Sequence, residues 1–314
     1  MADQITTDET ITVLMGVYDG AELLPAQLRS FADQSDPDWR LVCSDDGSSD
    51  GSDDVIAGFA EGVAQEVVQI PGPGRGFSAN YMSMIAGLEP ECGLVALADQ
   101  DDVWLPEKLA RARAALAHIA PEQPALYCAR RYLWDADTDA RVATPAALRA
   151  PSFRNALIEN IAPGNTVVLN VAAARLARVA ALRTGAVFAH DWWLYLLITG
   201  AGGPVICDDG PPCLLYRQHS GNLIGGGAGL QAQAARKLKV LQGAFADRLA
   251  GNLAAMQEIE DMLTPENAAV ARAFEVARRA ALPARLAGLR RVGPYRQTRM
   301  GSFGFWGAAL LGRV

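Results

Sequence analysis

Between residues 11 and 119 the chain alternates short apolar runs with amphipathic stretches four times in succession. The runs ITVLMGVY (11–18), WRLVCS (39–44), QEVVQI (65–70) and GLVALAD (93–99) have the length and β-branched content of buried strands. Each is followed by a helical pattern. GAELLPAQLRSFADQ carries Leu23, Leu24, Leu28 and Phe31 at helical spacing, and DDVIAGFAEG reads as a short helix ending at Gly62. ANYMSMIAGL and LPEKLARARAALAHI follow, the latter with Pro106 in its first turn, where proline is tolerated. Strand–helix alternation of this kind predicts an α/β fold, a mostly parallel Rossmann-like sheet with helices on both faces. Such sheets bind ligands outside the carboxyl ends of their strands.

Acidic and aromatic residues gather at those ends. Strand one ends at Tyr18 and Asp19, strand two at Asp45 and Asp46, and strand four at DQDD (99–102). Strand two runs into CSDDGSSDGSDD (43–54), which invites a calcium-loop reading. An EF-hand loop begun at Asp46 would need glutamate at its twelfth position, which is Ala57. Neighbouring carboxylates repel unless they share a cation, and a divalent ion with oxygen ligands commonly brings substrate phosphates into its shell. The plainer reading of DQDD is a polar loop capping the next helix.

Beyond residue 120 the pattern changes. PALYCARRYLWDADTDARV reads as strands joined near Asp135 to Asp139. NTVVLN, GPVICDDG and CLLYRQH read as further strands, and HDWWLYLLITG as a helix. From about Gly229 the chain is rich in Ala, Leu and Arg and reads as helical. The five glycines in 221–229 mark a boundary, giving an α/β unit over 1–225 and a helical, Arg-rich region over 226–314.

The net charge of −7 gives no reason to expect a nucleic-acid partner. It is unevenly spread: residues 272–314 hold nine arginines and one acid, a net +8 against −15 for the remainder. Five scattered cysteines without a CxxC pair fit reduced thiols in a cytoplasm. MADQITTDET does not read as a signal peptide, and no apolar run has membrane-spanning length.

VYDGAELLPAQLRSFADQS, CSDDGSSDGS, GRGFSANYMSMIAGL and ALADQDDVWLPEKL, in that order, resemble glycosyltransferase family 2 with its GT-A fold. AHDWWLYLLITGAGG and YRQHSGN resemble the bacterial rhamnosyltransferase-like branch. The resemblance covers about residues 11–225. It implies a nucleoside diphosphate sugar donor, dTDP-L-rhamnose or a UDP-sugar, and Mg²⁺ or Mn²⁺ as cofactor. It implies transfer to a surface-polysaccharide or lipid-linked glycan acceptor. Asp46 would accept a hydrogen bond from the base and Tyr18 would stack on it, in keeping with an acceptor-only carboxylate and a planar ring. Asp99 would contact the ribose and Asp101 the metal, with Asp102 assisting. Asn80, Gly164, Asn165 and Arg217 would line the donor site, with Arg75 a further phosphate candidate, and His219 would complete the metal site. Asp191, in the His190–Asp191 pair, would be the general base, although an aspartate at a helix start is also an ordinary cap. Trp192 and Trp193 would wall the acceptor.

Two departures bear on this. The QxxRW motif of processive members is absent, which favours addition of one sugar. Position 16 is glycine where many members carry Thr or Ser. Other readings remain: a sugar-phosphate nucleotidyltransferase, which would need a basic phosphate loop after strand one, and an inactive sugar-nucleotide-binding subunit. The tail from Leu282 interleaves arginines with Leu, Phe303, Phe305 and Trp306. It suits peripheral association with an anionic membrane, at the inner face of the plasma membrane for a cytoplasmic enzyme. A helix packed on the catalytic unit and a dimer interface are the alternatives.

Overall fold

The computed structural model of the chain describes residues 10–218 and 244–314. At its centre β1 (Ile11–Val17) lies between β2 (Trp39–Asp45) and β4 (Val95–Asp99), with β3 (Val67–Pro71) beyond β2, all paired in parallel. The sheet continues past β4 with β9 (Val168–Leu169), β6 (Leu126–Ala129) and β10 (Val205–Asp208), seven strands in all. The chain steps outward from β1 to β3, then returns to set β4 on the other side of β1. The order reverses there, and a crevice opens between the carboxyl ends of β1 and β4.

Strand β1 is apolar throughout because both its faces are covered. Val13 and Met15 share one core with Leu24, Leu28 and Phe31, and Leu14 shares another with Tyr81, Ile85 and Leu97. Helix α1 (Leu24–Ala32) presents Leu24, Leu28 and Phe31 to the sheet at three- and four-residue spacing. Helices α2 (Ser52–Glu61), α3 (Phe77–Ala86), α4 (Lys108–Leu116), a short α5 (Phe153–Ala156), α6 (Val171–Ala181) and α7 (His190–Gly200) follow.

Two features depart from the sequence expectation. First, β9 runs antiparallel to β4 and β6, because an apolar run carries no information on strand direction. Its reversed course puts the beginning of the strand, with the 3-10 turn Gly164–Thr166, at the carboxyl end of β4. Second, a four-stranded sheet stands beside the first: β5 (Val103–Trp104), β11 (Leu214–Arg217), β7 (Tyr132–Asp135) and β8 (Ala140–Ala143). Residues expected to lead straight into α4 form β5 against β11, so α4 begins two residues after Pro106.

The last four helices are α8 (Ala244–Glu258), α9 (Pro265–Arg279), α10 (Ala284–Val292) and α11 (Arg299–Leu310). Met256, Phe274, Leu289 and Phe305 from them share a core with Tyr195 and Leu197 of α7. The C-terminal helices are thus laid on the sheet-bearing unit by apolar burial, the main stabilising force of such contacts. The boundary expected at 221–229 lies outside the described residues.

Candidate functional site

The β1–β4 register ends at Gly16 opposite Asp99. Beyond it the Gln100 side chain prolongs the pairing, accepting from the Tyr18 N–H at 2.8 Å and donating to the Tyr18 carbonyl at 2.9 Å. Tyr18 itself stands 59 % exposed at the crevice mouth. Much of the acidic loop braces this corner. Ser48 accepts from the Asp19 N–H, Ser52 from Gly20 and Asp50 from Ala21, each at 2.8–2.9 Å. Asp53 and Asp54 occupy the first turn of α2, where carboxylates suit the helix dipole. Asp46 faces the crevice and is held by the backbone of the Gly-Pro loop, its oxygens accepting from Gly74 at 2.7 Å and Gly76 at 2.6 Å. Both glycines have positive φ, 64° and 85°, which lets their N–H groups turn toward one carboxylate.

At the end of β4, Asp99, Asp101 and Asp102 bring carboxylate oxygens within 4.8 Å of one another. Burial, then the Asp101 charge, pushes the Asp99 carboxyl up to about 7. Asp102 is fully buried and also raised, by desolvation and then by the Asp99 charge. Its Oδ2 accepts from Asn165 Nδ2 at 2.5 Å, while its Oδ1 is buried without a partner.

Across the crevice Asp191 sits in the first turn of α7. Its Oδ2 accepts from the Gly164 N–H at 3.1 Å and its Oδ1 from the Trp192 N–H at 2.7 Å. Each oxygen keeps a free lone pair. The preceding His190 is buried, and desolvation lowers its imidazole to about 4. It stacks on Tyr81 with centroids 3.8 Å apart, and the Tyr81 hydroxyl donates to the Ala98 carbonyl and lies 3.3 Å from Asp99 Oδ1. A Cβ on Gly164 would come within 2.9 Å of His190 Nε2, so the turn approaches α7 only because residue 164 has no side chain.

One cleft of about 1090 Å³ gathers Tyr18, Asp46, Asn80, Asp99, Asp101, Gly164, Asp191 and Trp192. Asn165, Arg217, Trp193 and Arg75, also named from the sequence, do not line this cleft. Asn165 is buried behind the acids. Arg217 donates through Nε to the Asp101 carbonyl at 3.0 Å, bracing the DQDD backbone, and does not line the cleft. Trp193 is 1 % exposed and belongs to the core, since α7 is buried on nearly every side. His219 lies outside the described residues. Arg75 is exposed away from the cleft lining. Asn80, though it lines the cleft, also donates to the Ser44 carbonyl at 2.8 Å and accepts from the Ser44 hydroxyl at 2.5 Å, tying α3 to β2.

The family model for glycosyl transferase family 2 matches residues 12–184, from the first strand past the 3-10 turn. The chain belongs to glycosyl transferase family 2. An uncharacterized glycosyltransferase of Nostoc sp., alr2836, is 33 % identical over 105 residues, 32 % of this chain and 31 % of that protein's length. The fold resembles a mannosyltransferase of Pyrobaculum calidifontis solved with GDP-Man and Mn²⁺. The TM-score is 0.52 at 18 % identity, over 96 % of this chain and 85 % of that one. It also resembles S. aureus TarS 1-349, solved with UDP-GlcNAc, at TM-score 0.53 and 13 % identity, over 97 % and 88 % of the two chains. At these identities the likeness concerns the fold, which is GT-A-like.

Within this family 2 chain the acidic cluster fits a divalent ion. Three carboxylates form the oxygen donor set that Mg²⁺ and Mn²⁺ prefer, and an orphaned buried oxygen on Asp102 is in want of a partner. Sequence reasoning passed over Arg131, which lines the cleft beside the acids. Its charge lowers both Asp99 and Asp102, its Nη1 donates to Asn165 Oδ1 at 3.0 Å, and it stacks on the Tyr216 ring at 4.1 Å. Its place just past the end of β6 was the available signal. The bracing role of Gln100 was hidden because the spacing of DQDD draws attention to its acids alone.

Proposed function

We propose that the chain is an inverting, metal-dependent glycosyltransferase that moves one sugar from a nucleoside diphosphate donor to a hydroxyl of a surface-polysaccharide or lipid-linked oligosaccharide acceptor. The observation that carries this reading is one cleft lined by Asp99 and Asp101 of the acidic cluster, with Asp102 buried behind them, and by Asp191. dTDP-L-rhamnose is the donor favoured by the sequence resemblance, with UDP-sugars second. The GDP-Man and UDP-GlcNAc of the structural neighbours add two nucleotides to the set worth testing.

In this reading Tyr18 and Asp46 hold the base, Asp99 the ribose, and Asp101 with Asp102 a Mg²⁺ or Mn²⁺ ion, for which His219 is a further candidate ligand. A bound divalent ion would neutralise charge on the departing diphosphate. Arg131 adds a fixed positive charge to the same wall. Asp191 takes the acceptor hydroxyl proton as the acceptor oxygen bonds to the anomeric carbon and the carbon–oxygen bond to the diphosphate breaks. Two backbone N–H donors, from Gly164 and Trp192, hold the Asp191 carboxylate in place, as a positioned general base requires. Trp192, with its indole N–H donated to the Ala156 carbonyl at 2.7 Å, offers a fixed wall beside the base.

A nucleotidyltransferase reading lacks a basic phosphate loop after β1, where YDGAELLPAQ has no Lys or Arg. Calorimetric titration with dTDP, UDP, GDP and CDP, with Mn²⁺ and with EDTA, tests the reading. Metal-dependent binding of one of them, weakened by Asp46→Ala and by Asp101→Ala, is expected. Absence of binding by all four would overturn it. Among the described residues no helix is long and apolar enough to cross a membrane. We take the reaction to occur in the cytoplasm, at the inner face of the plasma membrane.

A further inference from the structure

A second cavity, of about 530 Å³, lies between the start of α11 and the loop that precedes α5. Arg149, Arg296 and Arg299 line it together with Phe303 and Trp306. The cavity is firmly built. The Gln297 side chain accepts from the Leu148 and Arg149 N–H groups, each at 2.9 Å, and donates to the Arg149 carbonyl at 3.1 Å. The Tyr295 hydroxyl donates to the Ala150 carbonyl at 2.6 Å, and its ring lies 3.7 Å beneath the Arg149 guanidinium. Arg296 is paired with Glu159 at 3.1 Å. Arg149 and Arg299 face no carboxylate among the described residues.

Large apolar side chains surround this cationic cavity in the open. Leu148, Met300 and Phe303 are each more than half exposed, as are Leu310 at the end of α11 and Leu311 just after it. Positions 300, 303, 310 and 311 fall on one stripe of the helix, and Gly304 and Gly307 on the same stripe leave open space where side chains would stand. Phe305, Ala308 and Ala309, on the other side, are buried. An apolar stripe rimmed by arginines, two of which have no carboxylate partner among the described residues, is the pattern of a helix lying in a lipid interface.

We propose that this face docks on an anionic bilayer, with a lipid phosphate held in the cavity by Arg149 and Arg299 and with Leu148, Met300 and Phe303 entering the acyl boundary. Charge complementarity identifies the occupant. Apart from Leu148 and Arg149, the surface comes from the +8 segment of an otherwise acidic chain, and guanidinium forks match phosphate oxygens bidentately. The site also has a use. Arg296 lines both this cavity and the large cleft, and its partner Glu159 lines the cleft too. A phosphate of a lipid-linked acceptor seated here would present its glycan to the cleft that holds Asp191. That use rests on the acceptor reading above; the docking does not.

The test is co-sedimentation of the full chain with phosphatidylcholine vesicles, with and without phosphatidylglycerol, at low and high salt and without donor. The expected result is binding only to phosphatidylglycerol vesicles, weakened by salt. An Arg149→Ala/Arg299→Ala variant should lose on the order of tenfold or more in partitioning, following the usual contribution of juxtamembrane arginines. Phe303→Ser should weaken binding at both salt concentrations. None of the three positions lines the large cleft, so nucleotide titrations of these variants should match the parent, which also verifies folding. Failure of the parent chain to bind phosphatidylglycerol vesicles, or unchanged binding by the double-arginine variant, overturns the proposal. Vesicle binding by a chain that binds no nucleotide would instead count against the proposed enzymatic function alone.

Discussion

The side chain of Gln100 hydrogen-bonds both backbone groups of Tyr18, at 2.8 and 2.9 Å, and so joins the ends of β1 and β4 where their own ladder has stopped. Tyr18 owes its place to this contact more than to burial. Net hydrogen bonds of this kind contribute about 0.5–1.5 kcal/mol each. Losing both bonds removes about 1–3 kcal/mol, so Gln100→Ala should weaken nucleotide binding by roughly 5- to 150-fold and lower the melting temperature modestly. Gly20→Ala should act in the same direction, since a Cβ there would meet the Gln100 amide at 2.5 Å. Equal nucleotide affinity in parent and Gln100→Ala would show that Tyr18 does not touch the base.

Asp191→Asn keeps the shape of the side chain and removes its basicity. Transfer should fall by about 10²- to 10⁴-fold, the usual worth of a positioned base, while calorimetric nucleotide affinity stays as in the parent. Transfer that survives the change would remove Asp191 from the mechanism and turn attention to its role as a helix-start acceptor.

Asp102 gives a prediction of opposite signs with and without metal. In EDTA burial and the neighbouring acids make ionisation of Asp102 unfavourable, so Asp102→Asn should melt at or above the parent temperature. Saturating Mn²⁺ at a hundred times its Kd stabilises a binding-competent protein by about 2.7 kcal/mol. The parent should show such a rise and the variant a smaller one. Thermal melts in both conditions decide it; equal gains from Mn²⁺ would exclude Asp102 from the ion's coordination.

His190 is buried neutral, its pKa lowered by desolvation from 6.5 to about 4. Above pH 6.5 both folded and unfolded chains carry it uncharged, so it adds no pH dependence. Between pH 6.5 and 4 the unfolded chain takes up a proton that the folded chain refuses, and stability falls as pH falls. The full loss is about 3 kcal/mol. Asp99 acts in the opposite sense in the metal-free chain, its raised pKa favouring the folded state as pH drops below 7. A comparison with His190→Phe, whose ring can keep the Tyr81 stack, isolates the histidine. Urea titrations across this range should show the parent losing stability relative to the variant, and parallel profiles would mean that the imidazole protonates in place.

The sequence determined the sheet, most of its helices and the identity of the rim. Strand–helix periodicity reflects burial on both faces of a parallel sheet, as Val13, Leu14 and Met15 illustrate, and the acids at the ends of β1, β2 and β4 follow from chain order alone. Tertiary structure decided what required a partner distant in sequence. The antiparallel sense of β9 put Gly164 against Asp191, and Asn165 against Asp102, across 27 and 63 residues. It separated Trp192, at the cleft, from Trp193, in the core, although adjacent residues of an apolar helix look alike in sequence. It set Arg131 beside the acids and gave Arg217 a bracing task. Local periodicity records which side of an element is buried; the partner it meets there depends on packing between elements, which no local pattern encodes.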